Sequence, residues 1–211
     1  MLEVAGVRQE YMRDGLDEKT ILPDPLVQFE AWFADAIKAD LPLPNAMSLS
    51  TVSVEGKPSS RAVLLKGVDH GDFVFYTNYH SRKGRDLSAN PHAALLFAWL
   101  QLERQVRIEG TLAPVSAAES DAYFDTRPLG SRHAAIASPQ SEIIASRAAL
   151  EARHQDVALA TGNAPLRPPH WGGYRLMPAE IEFWQGRANR LHDRLLFKRT
   201  DQSWHITRLA P

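Results

Sequence analysis

The sequence predicts an α+β fold dominated by antiparallel β-structure, a barrel with helices packed outside it. Two observations carry this: segments of period-two hydrophobicity at both ends of the chain, and a helical middle joined to them by short turns. Length is the third. At 211 residues the chain suffices for one substantial core and is too short for two generous domains.

After a polar N-terminal arm, Asp24-Pro25 is a helix start, and Leu26, Phe29, Trp32, Phe33 and Ile37 follow at helical spacing, so one face of that helix is expected on the core. The period drops to two at Met47, Leu49 and Thr51. Glu55 to Pro58 then turns the chain into a second strand, Ser59 to Lys66, making a hairpin. A turn at Asp69 to Asp72 leads into Phe73 to Thr77, and strands follow at Ala93 to Trp99 and Arg104 to Leu112. Ser116-Ala-Ala-Glu119 is a capping box opening a helix toward Tyr123 and Phe124. An alanine-rich helical stretch spans about Ser141 to Leu159 and stops at Thr161-Gly162. Proline-rich Ala164 to Pro169 returns the chain to strands at Gly173 to Met177, Ile181 to Trp184, Arg194 to Lys198 and Trp204 to Arg208.

Composition narrows the function. Hydrophobic residues at 44% and charged residues at 23% are ordinary for a globular chain and unlike a disordered one. A net charge of -1 gives no field toward nucleic acid or anionic lipid, so any anion site must be local. The absence of cysteine excludes disulfides, thiolate catalysis and cysteine metal ligands, and fits a reducing compartment. Met1 to Tyr11 carries Glu3, Arg8 and Glu10 and lacks a signal peptide's apolar core; a cytoplasmic location is expected. The apolar run Ala93 to Leu100 is less than half of the ~20 residues needed to cross a bilayer. Dinucleotide, Walker, nucleophile-elbow and His-Glu-x-x-His motifs are all missing, and the histidines lack metal-ligand spacing, so no metal is expected.

What remains is a series of basic residues at strand ends and helix starts. Ser81-Arg82-Lys83-Gly84 follows the strand ending at Tyr76-Thr77-Asn78 and opens a short helix, where free N–H groups, the helix dipole and two cations favour a phosphate. Taken alone, it reads more readily as a solvated basic turn. Arg61 and Lys66 bracket the strand Arg-Ala-Val-Leu-Leu-Lys on opposite faces, so they serve one pocket only if the strand bends or ends between them. Tyr123, Arg127 and Ser131 recur at four-residue spacing, a row of donors suited to a second phosphate; Pro128 makes that row span a helix end and its turn. Between Phe183 and Arg194, Arg187, Arg190, His192 and Arg194 crowd beside Trp184. A hairpin needs only the turn formers Gly186 and Asn189, so function explains the rest better.

These residues resemble a known family. Arg61 to Lys66, Phe75-Tyr-Thr-Asn78, Ser81-Arg-Lys83, Glu103-Arg-Gln-Val106, Tyr123-Phe-x-x-Arg-Pro128, Gln140-Ser141, Trp171-Gly-Gly173, Glu182-Phe-Trp-Gln-Gly186, Arg190-Leu-His-Asp-Arg194 and Arg208-Leu-Ala-Pro211 look, in order, like pyridoxine/pyridoxamine 5′-phosphate oxidase. The resemblance implies a split β-barrel with peripheral helices that forms a homodimer, with FMN bound across the subunit interface. It implies FMN contacts from Arg61, Ala62, Val63, Leu64, Leu65 and Lys66, then Tyr76, Thr77, Arg82, Lys83 and Gln105, and finally Gln140, Ser141, Trp184 and Arg194. Substrate phosphate would sit on Lys66, Tyr123, Arg127 and Ser131, with Arg190 and His192 over the pyridine ring as the catalytic pair. Residues 1–20 would form a partly mobile arm, whose Arg8 and Tyr11 close over substrate, and residues 21–211 one FMN-binding domain. The implied reaction moves a hydride from substrate C4′ to FMN, yields pyridoxal 5′-phosphate from the amine or alcohol, and passes electrons to oxygen as hydrogen peroxide. Rival readings are another split-barrel flavin oxidoreductase, an FMN or pyridoxal phosphate carrier, and a nucleic-acid module, the last disfavoured by balanced charge. Two departures from the family pattern stand out: Leu43 where an acidic residue often precedes Pro-Asn-Ala-Met, and Arg132-His133-Ala134 after Ser131.

Overall fold

The computed structural model describes residues 15–201 and 203–211. Arg8 and Tyr11 lie outside the described residues. Among the described residues there are nine strands and five α-helices. In chain order they are α1 (Pro25–Lys38), β1 (Ala46–Val52), β2 (Pro58–Leu64), β3 (Gly67–Asp69), β4 (Asp72–Asn78), α2 (Arg82–Ala89), β5 (His92–Trp99), β6 (Arg104–Pro114), α3 (Ala117–Thr126), α4 (Leu129–Ala137), α5 (Arg147–Thr161), β7 (Trp171–Gln185), β8 (Asp193–Arg199) and β9 (Trp204–Arg208). Strands pair in the order β2-β1-β5-β6-β7-β4-β3, and β8 joins β7 with β9 beyond it.

Contacts divide the chain into two compact units. The first comprises residues up to Ser48, Ala94–Glu109 and Pro178–Pro211. Its core is aromatic. Asp24 caps α1 by accepting the Leu26 N–H at 2.8 Å, with Pro25 in the first turn where a missing donor costs nothing. The buried face of α1 sets Phe29 edge-on to Phe97 at 5.0 Å and Trp32 edge-on to Phe183 at 5.2 Å. Ile37, expected on that face, is 57% exposed because the stripe runs through Phe29, Trp32 and Ala36 instead. The second half of β7 pairs antiparallel with β8, and Trp184 faces Arg194 across the ladder.

The second unit, Leu49–Ala93 and Gly110–Met177, holds the β3–β4 hairpin, the first half of β7 and helices α2 to α5. The turn between β3 and β4 places His70 and Gly71 at φ 50 and 86, the doubly positive pair that matches strand twist in a tight hairpin. β4 then runs antiparallel to β7, with Tyr76 opposite Gly173. Ser116 caps α3 through the Glu119 N–H at 3.1 Å, while the Glu119 carboxylate accepts from Arg175 at 3.0 Å rather than closing the box. Helix α4 begins directly after Pro128, where the sequence suggests only a helix end and its turn. The alanine-rich stretch becomes helical only at Arg147, where Ser146 accepts the Ala149 N–H, so residues 141–146 stay irregular. Gly173 to Met177 and Ile181 to Trp184 form one strand rather than two, because Pro178 sits within β7 without ending it.

Candidate functional site: a cationic cavity and an arginine–carboxylate pocket

β2 ends at Leu64 and β3 starts at Gly67, so the chain breaks its alternation between Arg61 and Lys66. Both side chains therefore line the same cavity of about 580 Å³ in the second unit. Ala62, Val63 and Leu64 also line it, whereas Leu65 turns into the core at 7% exposure. The far wall comes from Tyr123, Arg127 and Ser131. Their row spans the end of α3 and the start of α4, with Arg127 as the α3 C-cap and Pro128 capping α4.

Lys83 reaches the cavity floor from the first turn of α2. Ser81 caps that helix through the Gly84 N–H at 3.3 Å, and a side chain at residue 84 would fall on the Tyr79 carbonyl. Glycine there allows the helix to press on the strand end and deliver Lys83. The Lys83 ammonium donates to Thr77 Oγ1 at 3.0 Å, to Gln140 Oε1 at 2.7 Å and to Ser81 Oγ at 3.3 Å. Burial, then the Arg61 charge, pull its pKa down to about 8. Arg61 donates to Leu49 O at 3.1 Å and Thr51 Oγ1 at 2.8 Å, which orients its guanidinium across β1. Of the other expected residues, Arg82 is exposed at the helix start and Ser141 is exposed at φ 74; neither lines the cavity.

Three aromatic rings form a ladder beside these cations. Tyr76 stacks on Tyr123 at 3.9 Å and lies 5.7 Å from Trp171 at 13°. Arg127 sits over the Trp171 ring at 4.5 Å, and its buried Nη1 has no hydrogen-bond partner. Trp171, Asn78, Thr126 and Pro128 line the cavity without having been singled out for it. For Trp171 the signal was present in the Trp-Gly-Gly motif, whose glycines let Tyr76 and Tyr79 approach β7 closely. Arg61, Lys66, Lys83 and Arg127 thus face a space lined by no carboxylate. Asp86, behind the wall at 3.9 Å from Arg61 Nη2, offsets one of these charges, and the unsatisfied Arg127 Nη1 still suits an anionic ligand with several acceptor oxygens, such as a phosphate monoester.

Lys83 gives this a pH signature. With its folded-state pKa depressed, it is charged below about 8 and neutral above, and folding gains stability as pH rises from there toward the unfolded value of 10.5. Sulfate, whose own charge is constant here, is expected to bind equally below pH 8 and to weaken by up to about tenfold per pH unit above it. Calorimetric titration of the protein and of Lys83→Met checks this; the variant should bind weakly at every pH.

A second pocket, of about 290 Å³, lies in the first unit and is lined by Gln105, Trp184 and Arg194 together with Leu96, Arg107, Glu182 and Pro211. Glu182 opens the Glu182-Phe-Trp-Gln-Gly186 segment. It is 5% exposed and accepts from Arg194 Nε at 2.7 Å and Arg107 Nη2 at 2.5 Å. Burial alone pushes its pKa up, but the hydrogen bonds from Arg194 and Arg107 outweigh this and hold the carboxyl below its ordinary value. Nearby, the His192 ring lies 4.6 Å from Trp184, and its Nδ1 accepts the Arg187 N–H at 3.1 Å. That bond assigns the ring proton of neutral His192 to Nε2. Burial, then the Arg190 charge, lower the His192 pKa, against a smaller opposing effect of Asp193. Asn189 and Arg190 hold φ values of 57 and 61, a strained conformation for an arginine that fixes where its side chain leaves the loop.

Comparison with known proteins identifies the family. Residues 33–160 match the pyridoxamine 5′-phosphate oxidase family, and residues 171–211 match the pyridoxine 5′-phosphate oxidase C-terminal dimerisation region. The chain is similar to pyridoxine/pyridoxamine 5′-phosphate oxidase of Burkholderia vietnamiensis, 59% identical with all of both chains covered, and to that of Paraburkholderia phytofirmans at 56% with the same coverage. Among solved structures it is similar to PhzG from Burkholderia lata in complex with tetrahydrophenazine-1-carboxylic acid, with TM-score 0.88 and 34% identity over 94% of this chain and 98% of that one. A pyridoxamine 5′-phosphate oxidase-related FMN-binding protein of Nostoc punctiforme shares the fold, with TM-score 0.71 and 20% identity over 87% of this chain and 97% of that one.

Proposed function

The chain belongs to the pyridoxamine 5′-phosphate oxidase family and has its split β-barrel fold, and from that premise we propose that it oxidises pyridoxamine and pyridoxine 5′-phosphate to pyridoxal 5′-phosphate with FMN and oxygen. The observation that carries this reading is the carboxylate-free cavity in which Lys66, Tyr123, Arg127 and Ser131 converge beside Arg61 and Lys83. Two phosphate groups need two sets of donors, and the cavity offers them. Lys66, Tyr123, Arg127 and Ser131 hold the substrate phosphate; Arg61, Lys83, Thr77 and Gln140 hold that of FMN. Gln105, Trp184 and Arg194 hold the flavin from the second pocket's residues, in a homodimer with FMN bound at the subunit interface.

FMN, when bound, supplies hydride acceptance and the reaction with oxygen. The chain's residues supply orientation and charge. Arg190 positions the substrate ring and assists loss of the C4′-side proton, while neutral His192 donates from Nε2 to the ring's phenolic oxygen. Residues 21–211 serve as the FMN-binding domain, and the enzyme works in the cytoplasm.

Protonation of His192 at Nδ1 breaks its bond from Arg187. Because its folded-state pKa lies below the unfolded 6.5, the stability this histidine contributes is present above that value and falls as pH drops through it toward the folded value. The acid limb of the kcat/KM profile is expected to be displaced to more acid pH than an ordinary histidine would give, since the folded imidazole gains its proton only there. His192→Gln should lose that acid limb.

PhzG at 34% identity supports a second reading, oxidation of a reduced phenazine carboxylate. Full-length identity of 59% to pyridoxine/pyridoxamine 5′-phosphate oxidases favours the first. Supplying each substrate aerobically to the FMN-loaded protein tests them: pyridoxal 5′-phosphate and hydrogen peroxide in equal amounts support the vitamin reading, and turnover of the phenazine alone rejects it.

A further inference from the structure

Asp193 separates His192 from Arg194, and its carboxylate is held from three directions. Oδ2 accepts the Leu16 N–H at 3.0 Å and lies 3.8 Å from Arg187 Nε, while Oδ1 accepts from Arg208 Nη1 at 2.6 Å. Arg208 spends its other nitrogens on the same segment: Nε and Nη2 grip the two Glu18 oxygens at 2.7 and 2.6 Å, and Nη2 also donates to Leu16 O at 2.9 Å. Both backbone polar groups of Leu16 are thereby taken, and its side chain is buried. Gly15 completes the arrangement: a Cβ there would fall on Arg187 Nη1 and stand 3.0 Å from Asp193 Oδ2.

An isolated surface ion pair contributes little, but here one guanidinium satisfies four acceptors, and its bonds hold the Glu18 carboxyl down to about 2. What the clasp joins is residues 15–18 to the two ends of the loop carrying Arg190 and His192, since Arg187 opens that loop and Asp193 closes it. Arg187 is also the residue whose N–H binds His192 Nδ1.

We propose that Arg208, Asp193 and Glu18 form a clasp that fixes residues 15–18 against the Arg187–Asp193 loop and so sets the position of Arg190 and His192; they are positioning residues. The functional part rests on the oxidase reading above, whereas the coupling itself does not.

Two variants attack the clasp from opposite sides: Arg208→Ala removes its centre, and Gly15→Ala removes no polar group but displaces the Arg187 guanidinium and crowds Asp193 Oδ2. Amide hydrogen exchange in peptides covering residues 15–18 and 186–192 is the first readout. In both variants, exchange at Leu16 and at Arg187 is expected to accelerate by about tenfold or more with β4 unchanged. KM for pyridoxamine 5′-phosphate should rise by roughly tenfold at unaltered flavin content, with partial recovery in Arg208→Lys. Faster exchange at Leu16 with none at Arg187 would overturn the coupling, and wild-type KM in a protein whose Arg187 exchange has accelerated would overturn the positioning role. If the unaltered protein does not oxidise the substrate, the oxidase reading fails and the exchange data alone decide on the clasp.

Discussion

Arg127→Ala is expected to lower kcat/KM for pyridoxamine 5′-phosphate by roughly a hundredfold or more, about 3 kcal/mol, at normal flavin content. The guanidinium is poised without a hydrogen-bond partner at Nη1 and is stacked on Trp171, so it forms its strongest bonds only when an anion arrives. Burial lowers its pKa, a sign that its charge lacks compensation in the protein itself. Substrate lacking the phosphate should show a far smaller difference between variant and parent. Steady-state kinetics with pyridoxamine and its phosphate separate the cases. Equal losses on both substrates would mean that Arg127 supports the Tyr76–Trp171 ladder rather than the phosphate.

Glu182→Ala has the second large effect, on stability. Removing a 5% exposed carboxylate strands Arg194 Nε and Arg107 Nη2 beside Trp184. Breaking a buried pair from one side costs about 3–5 kcal/mol; both arginines are partly exposed, which favours the lower end. For a chain of this size that lowers Tm by roughly 10 °C. Glu182→Gln, which keeps an acceptor, should fall between. Thermal unfolding followed by circular dichroism checks both, and a Tm within about 2 °C of the parent for the alanine variant would show that the pocket tolerates unpaired arginines.

Much of the architecture was legible because its signals are local. Asp24-Pro25, Ser81 and Ser116 each cap the helix they were expected to open, and the period-two segments became strands. The misses were decided by tertiary context. Helix α4 follows a proline that reads as a stop, yet Pro128 caps a new helix and thereby carries Ser131 to the cavity. Pro178 reads as a break, yet β7 continues through it. The cavity residues followed from charge placed at element ends. The opposite-face conflict between Arg61 and Lys66 dissolved because β2 stops at Leu64, which alternation alone does not specify. Glu182 stayed hidden since a buried carboxylate within Ile181-Glu182-Phe183 has meaning only once Arg194, its diagonal neighbour across β8, and Arg107 are placed. The clasp at Asp193 was likewise illegible, because it joins residues from opposite ends of the chain.

The central claim is that this cavity brings a phosphorylated B6 vitamer to bound FMN. The most direct measurement is the visible spectrum of the FMN-loaded protein titrated anaerobically with pyridoxamine 5′-phosphate. Stoichiometric bleaching near ~450 nm, one pyridoxal 5′-phosphate formed per flavin, and recovery on admitting air are the predicted result. A flavin that binds and stays oxidised through a saturating titration would contradict it.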